Sequence, residues 1–360
     1  MKTFHCGVCQ SLIFFENSQC LHCGAQLAYV AGESELLPLS EGKDGLWRTP
    51  VGSRLENQAY RLCANYQDHQ ICNWALPSGD VLRLCESCRL TSKIPDLSLS
   101  GSIDAWRKLE AAKRRLLYAI FSLRLPVIGK RQDEIEGLEF QFLSDGANGQ
   151  GDHSRIMTGH DNGVITINIA EADDAYREAQ RRLQREPYRT LLGHFRHEIG
   201  HYYWDRLIAR SGRLEEYREI FGDERAHYSQ ALDVHYQQGP PMDWDGRYIS
   251  AYASAHPWED WAESWAHLLY MLDSLETAQF LGLSINPARR DDPSLKIAPV
   301  PLNERVADFG RLAQDWTTLT YVLNNLTRGL GLADTYPIAL GQPVLKKLKF
   351  VCEVVSGAAR

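Results

Sequence analysis

The chain has 360 residues, of which 44% are hydrophobic and 24% are charged, and its formal net charge is −7. This composition is that of a soluble globular protein with two or three domains, and it excludes a generally basic surface for nucleic acid or anionic membranes. No apolar run approaches the roughly 20 residues that cross a bilayer. The first ten residues, MKTFHCGVCQ, lack the apolar segment of a signal peptide, so we expect a cytoplasmic protein.

Cysteines are concentrated at the beginning of the chain, with eight of the nine in the first 88 residues. Residues 1–30 contain two C-x-x-C pairs, each of which can direct two sulfurs at one point. Together the pairs predict a zinc ribbon with one structural zinc ion, whose ligands are Cys6, Cys9, Cys20 and Cys23. So short a module has little core of its own, so zinc would supply its folding energy. The alternative is a redox function, which an isolated C-x-x-C can have. The presence of two such pairs close together disfavours it.

A loop or linker is predicted at residues 31–45, followed by a second zinc module at residues 46–95. The ligands of a second structural zinc ion would be Cys63, Cys72, Cys85 and Cys88. The first two of these are too far apart for a regular knuckle, so one metal with several free thiols is the alternative, and His69 is a further candidate ligand. Few basic residues occur in the first 45 positions. This argues against nucleic acid and leaves a protein partner for the modules possible.

The remaining residues, 100–360, predict one further domain. A long amphipathic helix is expected over residues 102–123, and alternating apolar residues predict strands at 138–143 and 164–169. Helices at 304–323 and 343–355 are expected to pack around the centre of this domain.

The most informative stretch is the predicted helix at residues 188–210, which contains the sequence HEIGH. His197 and His201 lie four positions apart and therefore share one helix face, where both imidazoles can bind one metal ion. Glu198 stands beside them as a carboxylate base, the arrangement of zinc hydrolases. Gly200 would allow another element to approach closely, and Asp205 could orient His201, although an ion pair with a nearby arginine is an equal alternative. The competing interpretation is an ordinary helix with solvated histidines.

A second helix is predicted within residues 256–269, HPWEDWAESWAHLL. Glu259 and Glu263 share one face beside an apolar stripe. Two carboxylates on one turn repel each other, which indicates a cation or a histidine opposite them. We therefore expect Glu259 to bind zinc and Glu263 to accept a hydrogen bond from a zinc-bound imidazole. The alternative is a solvated acidic face.

HEIGH followed about sixty residues later by E-x-x-x-E resembles the gluzincin metallopeptidases. The stretch SAYASAHPWEDWAESW is also similar to the matching stretch of the anthrax lethal factor peptidase domain. The chain as a whole most resembles the bacterial family of zinc-binding metallopeptidases with an N-terminal zinc ribbon. The resemblance implies that Glu259 is the third zinc ligand and that Tyr252 donates a hydrogen bond to the oxyanion. Tyr248 is the rival for this function, and a Tyr252 packed in the core is the alternative.

The resemblance also implies that the strand at 164–169 forms the edge of the cleft and pairs with substrate backbone, an ordinary sheet strand being the alternative. The expected fold class is α+β, with a mostly helical gluzincin-like domain and a small sheet preceded by zinc-ribbon modules. The expected function is peptide hydrolysis with one catalytic and two structural zinc ions. The alternatives are a zinc-ribbon adaptor that binds a partner without catalysis and a zinc hydrolase of a non-protein amide.

Overall fold

The computed structural model describes residues 1–56, 58–145, 156–184, 190–292, 294–297, 299–336 and 340–359. These residues form helices together with several small sheets, which confirms the predicted mixed fold class. Two compact units are present. The N-terminal unit comprises Thr3–Tyr118 and Val127–Glu178, and the C-terminal unit comprises Met1–Lys2, Ala119–Pro126 and Ala179–Arg360. In the described part of the chain, no helix has the length and apolar character needed to cross a membrane.

The N-terminal unit opens with a small antiparallel pair, β1 and β2, and continues into a six-stranded sheet. The sheet has the order β4-β3-β8-β7-β6-β5, in which only the β3–β8 pairing is parallel. In chain order the elements are β1 Phe4–His5, β2 Leu12–Ile13, β3 Leu27–Val30, β4 Glu35–Pro38, β5 Ser40–Glu41, β6 Trp47–Arg48, β7 Ala59–Leu62, helix α1 Ala64–Gln67 and β8 Trp74–Pro77. Because β4 and β5 lie within residues 31–45, the prediction of a linker there is wrong.

Aromatic side chains form the core beside the central strands of this sheet. The Tyr29 ring lies 4.9 Å from the rings of both Phe15 and Trp74, measured between centroids. All three side chains are almost fully buried. Since Tyr29 is in β3 and Trp74 is in β8, the parallel pairing of these two strands holds this core together.

A second sheet of the N-terminal unit has the order β11-β12-β10-β9. Its elements, with the helices that accompany them, are β9 Thr91–Lys93, α2 Ser102–Ser122, β10 Glu139–Leu143, β11 Gly159–Asp161, β12 Val164–Asn168 and α3 Asp174–Gln184. The long helix and both predicted strands are therefore present. The expected pairing of the second strand with substrate backbone does not fit this sheet, because β12 is paired with β10 on one side and, over residues 164–166, with β11 on the other. The alternative of an ordinary sheet strand holds for this segment.

Helices dominate the C-terminal unit. They are α4 Leu191–Leu207, α5 Leu214–Phe221, α6 Tyr228–Gln238, α7 Trp244–Arg247, α8 Pro257–Phe280, α9 Leu302–Arg305, α10 Phe309–Gly329 and α11 Gln342–Ala358, with a hairpin of β13 Ser284–Ile285 and β14 Leu295–Lys296 between α8 and α9. Residues 188 and 189 of the predicted metal helix lie outside the described residues. The helix predicted at 304–323 is instead two helices, because Asp308 caps α10 by accepting a hydrogen bond from Arg311 N at 3.0 Å.

The central element of the C-terminal unit is α8, which is buried over most of its length. The helix begins at Pro257, directly after the residue that caps it. His256 caps it through a hydrogen bond from Trp258 N to Nδ1, and Pro257 occupies the first turn. Helix α11 packs against α8 and contributes Lys347, whose Nζ lies 2.6 Å from the fully buried carboxylate of Asp260. The buried carboxylate of Asp260 is thus paired with a cation from a neighbouring helix.

Helices α4 and α8 pack very closely at Gly200. A Cβ atom at this position would lie 3.1 Å from the Cα of Ala262 and 3.2 Å from the Cβ of Trp265. The carbonyl oxygen of Gly200 also accepts a hydrogen bond of 2.8 Å from the indole nitrogen of Trp261. A residue with a side chain would therefore separate the two helices.

We expect Gly200→Val to lower the free energy of unfolding by about 1–3 kcal/mol, because its side chain overpacks the contact between α4 and α8. Chemical denaturation would measure the loss. Gly212→Val is the control, since a Cβ atom at Gly212 would meet nothing within 4 Å. Equal stability of the two variants would contradict the assignment of a steric constraint to Gly200.

Candidate metal centres

The first four cysteines converge in the N-terminal unit. The Sγ atoms of Cys6 and Cys23 are 3.7 Å apart, and those of Cys9 and Cys20 are 3.6 Å apart. A tetrahedral zinc ion with bonds of about 2.3 Å requires sulfur separations of about 3.8 Å, whereas a disulfide requires about 2.05 Å. The distances therefore fit a tetrathiolate zinc site and exclude these disulfides.

The second set of cysteines forms a similar but more deeply buried cluster, composed of Cys63, Cys72, Cys85 and Cys88. The Sγ atoms of Cys72 and Cys85 lie 3.7 Å apart. Three backbone N–H groups point to these sulfurs, including Trp74 N at 3.4 Å from Cys72 Sγ. His69 is not part of this cluster, and its ring instead lies 5.4 Å from that of Trp106. Cys352 is buried in α11.

A buried arginine accompanies the second cysteine cluster. The Arg114 guanidinium donates a hydrogen bond of 2.7 Å to the carbonyl oxygen of Ile71, the residue before Cys72. Burial opposes the charge of Arg114, but the negative charges of Cys72 and Glu110 among others outweigh it and raise its pKa. Four thiolates around a divalent ion carry a net charge of −2, so a buried cation here is electrostatically complementary. The cysteine spacing gave no indication of Arg114.

The third cluster lies between α4 and α8 in the C-terminal unit. Thr190 caps α4 by accepting a hydrogen bond from Gly193 N, and the helix then places both histidines of HEIGH on one face. The Nε2 atoms of His197 and His201 are 3.2 Å apart, and Glu259 Oε2 lies 2.9 Å from the first and 3.6 Å from the second. Tetrahedral coordination at about 2.0–2.1 Å requires donor separations of about 3.3 Å. Two imidazole nitrogens and one carboxylate oxygen therefore fit a zinc ion with one further position.

Hydrogen bonds from neighbouring side chains orient two of these three donors. His197 Nδ1 is 2.8 Å from Glu263 Oε1, and the Tyr228 hydroxyl donates a hydrogen bond of 2.6 Å to Glu259 Oε1. Burial lowers the pKa of His197, but the carboxylates of Glu259 and Glu263 outweigh burial and raise it well above its ordinary value. No motif indicated Tyr228, which precedes Glu259 by 31 residues in the chain.

The predicted base and the two candidate oxyanion donors also lie in the C-terminal unit. Glu198 is buried beside His197 on α4. The pKa of Tyr228 is raised by burial and by Glu259, and the negative charge of Glu198 adds to this effect. The Tyr252 ring lies 5.9 Å from that of His197, whereas the rival, Tyr248, has Lys347 Nζ 4.1 Å from its ring centroid. The assignment of the oxyanion donor to Tyr252 rather than Tyr248 stays a prediction.

Two further residues lie close to His201, one along α4 and one on α8. Asp205 is half-buried one turn beyond His201, and its orienting function stays a prediction. The Trp258 ring lies against His201, with 3.8 Å between the ring centroids. This second contact, like that of Tyr228, was not predicted. It restricts the orientation of the His201 imidazole.

Comparison with known proteins agrees with this arrangement. Residues 102–354 match the model of a protein family described as "Putative zinc-binding metallo-peptidase". The chain belongs to this zinc-binding metallopeptidase family. Residues 3–99 match a zinc-ribbon domain, which includes both cysteine clusters. The predicted resemblance to a zinc-binding metallopeptidase family with an N-terminal zinc ribbon is therefore confirmed.

Relatives of this family member occur in mycobacteria. The uncharacterized proteins Rv2568c of Mycobacterium tuberculosis and Mb2598c of Mycobacterium bovis are each 41% identical to it over 360 residues, which are 100% of this chain and 96% of the relative. No solved structure matches the chain significantly. The resemblance to the lethal factor peptidase domain accordingly stays a prediction from the motifs.

We expect Arg114→Met to lower the free energy of unfolding by about 3 kcal/mol, because it leaves the thiolate charge of the second cysteine cluster buried without its cation. Zinc release to a chelator should also become faster. Arg107→Met is the control on the same helix, since its guanidinium is about half exposed. The same stability and zinc release in both variants would show that Arg114 does not compensate the cluster.

Proposed function

We propose that this chain is a zinc-dependent metallopeptidase whose catalytic domain comprises residues 100–360. The observation that carries the proposal is the convergence of three donor atoms, His197 Nε2, His201 Nε2 and Glu259 Oε2, at separations of 2.9–3.6 Å. A set of two imidazoles and one carboxylate is typical of catalytic zinc, because it leaves a position for water or substrate.

When bound, zinc would polarise the scissile carbonyl and lower the pKa of a water molecule towards about 7. Glu198, adjacent to a ligand and buried, accepts the proton of the attacking water at its carboxylate and passes it to the leaving amine. The Tyr252 hydroxyl donates a hydrogen bond to the oxyanion of the tetrahedral intermediate. Glu263 holds the His197 ring through Nδ1, which fixes Nε2 as the ligand atom.

The two cysteine clusters are proposed as structural zinc sites. Each supplies four sulfurs and therefore no open position. Cysteines that bind zinc and form no disulfide agree with a reducing compartment such as the cytoplasm. The substrate class is peptide or protein, and a zinc-ribbon surface for a protein partner is part of the same proposal.

The geometry supports catalysis better than simple partner binding. A binding domain does not require a buried carboxylate such as Glu198 next to three metal donors, because burying that charge costs free energy. A zinc hydrolase of a non-protein amide would use the same residues, so the substrate experiment below distinguishes it.

We expect three zinc ions in each wild-type chain and two in a His197→Ala/His201→Ala variant, since only the third cluster loses its ligands. Elemental analysis against protein concentration would measure both. A Cys72→Ser/Cys85→Ser variant is the matched comparison, and it should lose the second tetrathiolate zinc while retaining the ion bound by His197. Equal zinc content in wild type and the histidine variant would contradict a metal site on α4.

Glu198→Gln should retain all of its zinc but lose hydrolysis by a factor of at least about 100, because the amide cannot accept the proton of the attacking water. Peptide-library digestion followed by mass spectrometry would measure cleavage. Glu219→Gln, an exposed change on α5, serves as the control and should cleave as the wild type does. Undiminished cleavage by the Glu198 variant would show that this carboxylate is not the base. Cleavage of no peptide by zinc-loaded wild type would favour the non-protein amide.

A further inference from the structure

The two oxygens of the Glu259 carboxylate have different neighbours. Oε2 faces the Nε2 atoms of both histidines, at 2.9 Å and 3.6 Å. Oε1 accepts the hydrogen bond of 2.6 Å from the Tyr228 hydroxyl. One oxygen is thus directed at the metal position, and a protein donor already occupies the other.

This difference matters because a carboxylate can bind zinc through one oxygen or through both. Binding through both would occupy part of the space that a catalytic zinc keeps for water or substrate. A hydroxyl hydrogen bond to Oε1 favours binding through Oε2 alone. Hydrogen-bond partners of metal ligands commonly control metal affinity in this way.

Tyr228 is suited to donate rather than accept. An ionised carboxylate oxygen can only accept, so the phenolic hydroxyl is the donor in its contact with Glu259 Oε1. Its ring makes edge contacts with His256 and Trp258, with centroid distances of 5.2 Å and 5.7 Å. These ring contacts would survive the loss of the hydroxyl.

The position of Tyr228 in the fold supports a specific function. It is the first residue of α6, a helix without buried residues that follows Gly222 and precedes Gly239, both at positive φ. Two residues before Tyr228, the carbonyl oxygen of Ala226 accepts a hydrogen bond of 3.2 Å from His256 Nε2. His256 also caps α8, so the start of α6 and the start of the ligand helix are connected at one side chain.

We propose that Tyr228 is a positioning residue that fixes Glu259 as a ligand through one oxygen and so keeps a coordination position open for substrate. The inference rests on the proposed function for its zinc ion, but its test does not require peptide hydrolysis. Tyr228 acts through Glu259 and is not itself assigned a step in the reaction.

The test compares Tyr228→Phe with Tyr236→Phe, a change of the same kind on the exposed part of α6. Zinc affinity is measured by competition with a chelator, and the His197→Ala/His201→Ala variant serves as the background for ions bound by cysteine. We expect Tyr228→Phe to bind zinc about 10- to 100-fold more weakly and Tyr236→Phe to bind it as the wild type does. The apoprotein of both variants should remain folded, because the ring contacts of Tyr228 survive the change.

Cobalt substitution provides the second measurement, because the visible absorption of Co²⁺ weakens when coordination rises from four to five. Tyr228→Phe should show this weakening in the difference spectrum against the double histidine variant. Wild-type zinc affinity together with a wild-type cobalt spectrum would overturn the assignment of Tyr228 while leaving the peptidase proposal intact. Absence of cobalt from the histidine site of the wild type would overturn both.

Discussion

The close approach of α4 and α8 at Gly200 is the constraint on which the candidate catalytic centre depends. Two donors are on α4 and the third is on α8, so their separation is set by helix packing and not by either helix alone. A Cβ atom at Gly200 would meet the backbone of α8 at 3.1 Å, and the Gly200 carbonyl oxygen is bound by Trp261. Glycine has a low helix propensity and therefore weakens α4. At this position, however, it permits the short distance between the two helices that three ligands of one metal ion require.

Close packing has an electrostatic consequence, because the first two turns of α8 carry two buried acidic residues and a third that is partly exposed. Each has a distinct partner. Glu259 faces the two histidines and Tyr228, Asp260 pairs with Lys347, and Glu263 binds His197. Their position at a helix N-terminus also favours negative charge. The alternative of a solvated face formed by Glu259 and Glu263 does not hold for Glu259, which is buried, whereas Glu263 is partly exposed.

Sequence reasoning succeeded where chemistry is encoded by local spacing. The C-x-x-C pairs and HEIGH bring donors together within one knuckle or one helix turn, and helix and strand periodicity can be read over a few residues. Tyr228 contacts Glu259 across 31 residues of the chain, and Arg114 contacts Ile71 across 43 residues, so no local pattern reports either contact. Strand order is similarly a property of pairing between distant segments, so local periodicity does not report that β12 lies between two other strands or that residues 31–45 contribute strands to a sheet.

The two kinds of metal centre have opposite charge requirements, and their surroundings differ accordingly. A divalent ion with four thiolates carries −2, and Arg114 is buried beside the second such cluster. A divalent ion with two neutral imidazoles and one carboxylate carries +1, and Glu263 and Glu198 lie beside that site. Burial lowers the pKa of His197, but the carboxylates of Glu259 and Glu263 raise it well above its ordinary value. Because an imidazole binds a metal ion only through a deprotonated nitrogen, zinc affinity at such a site falls as the pH falls.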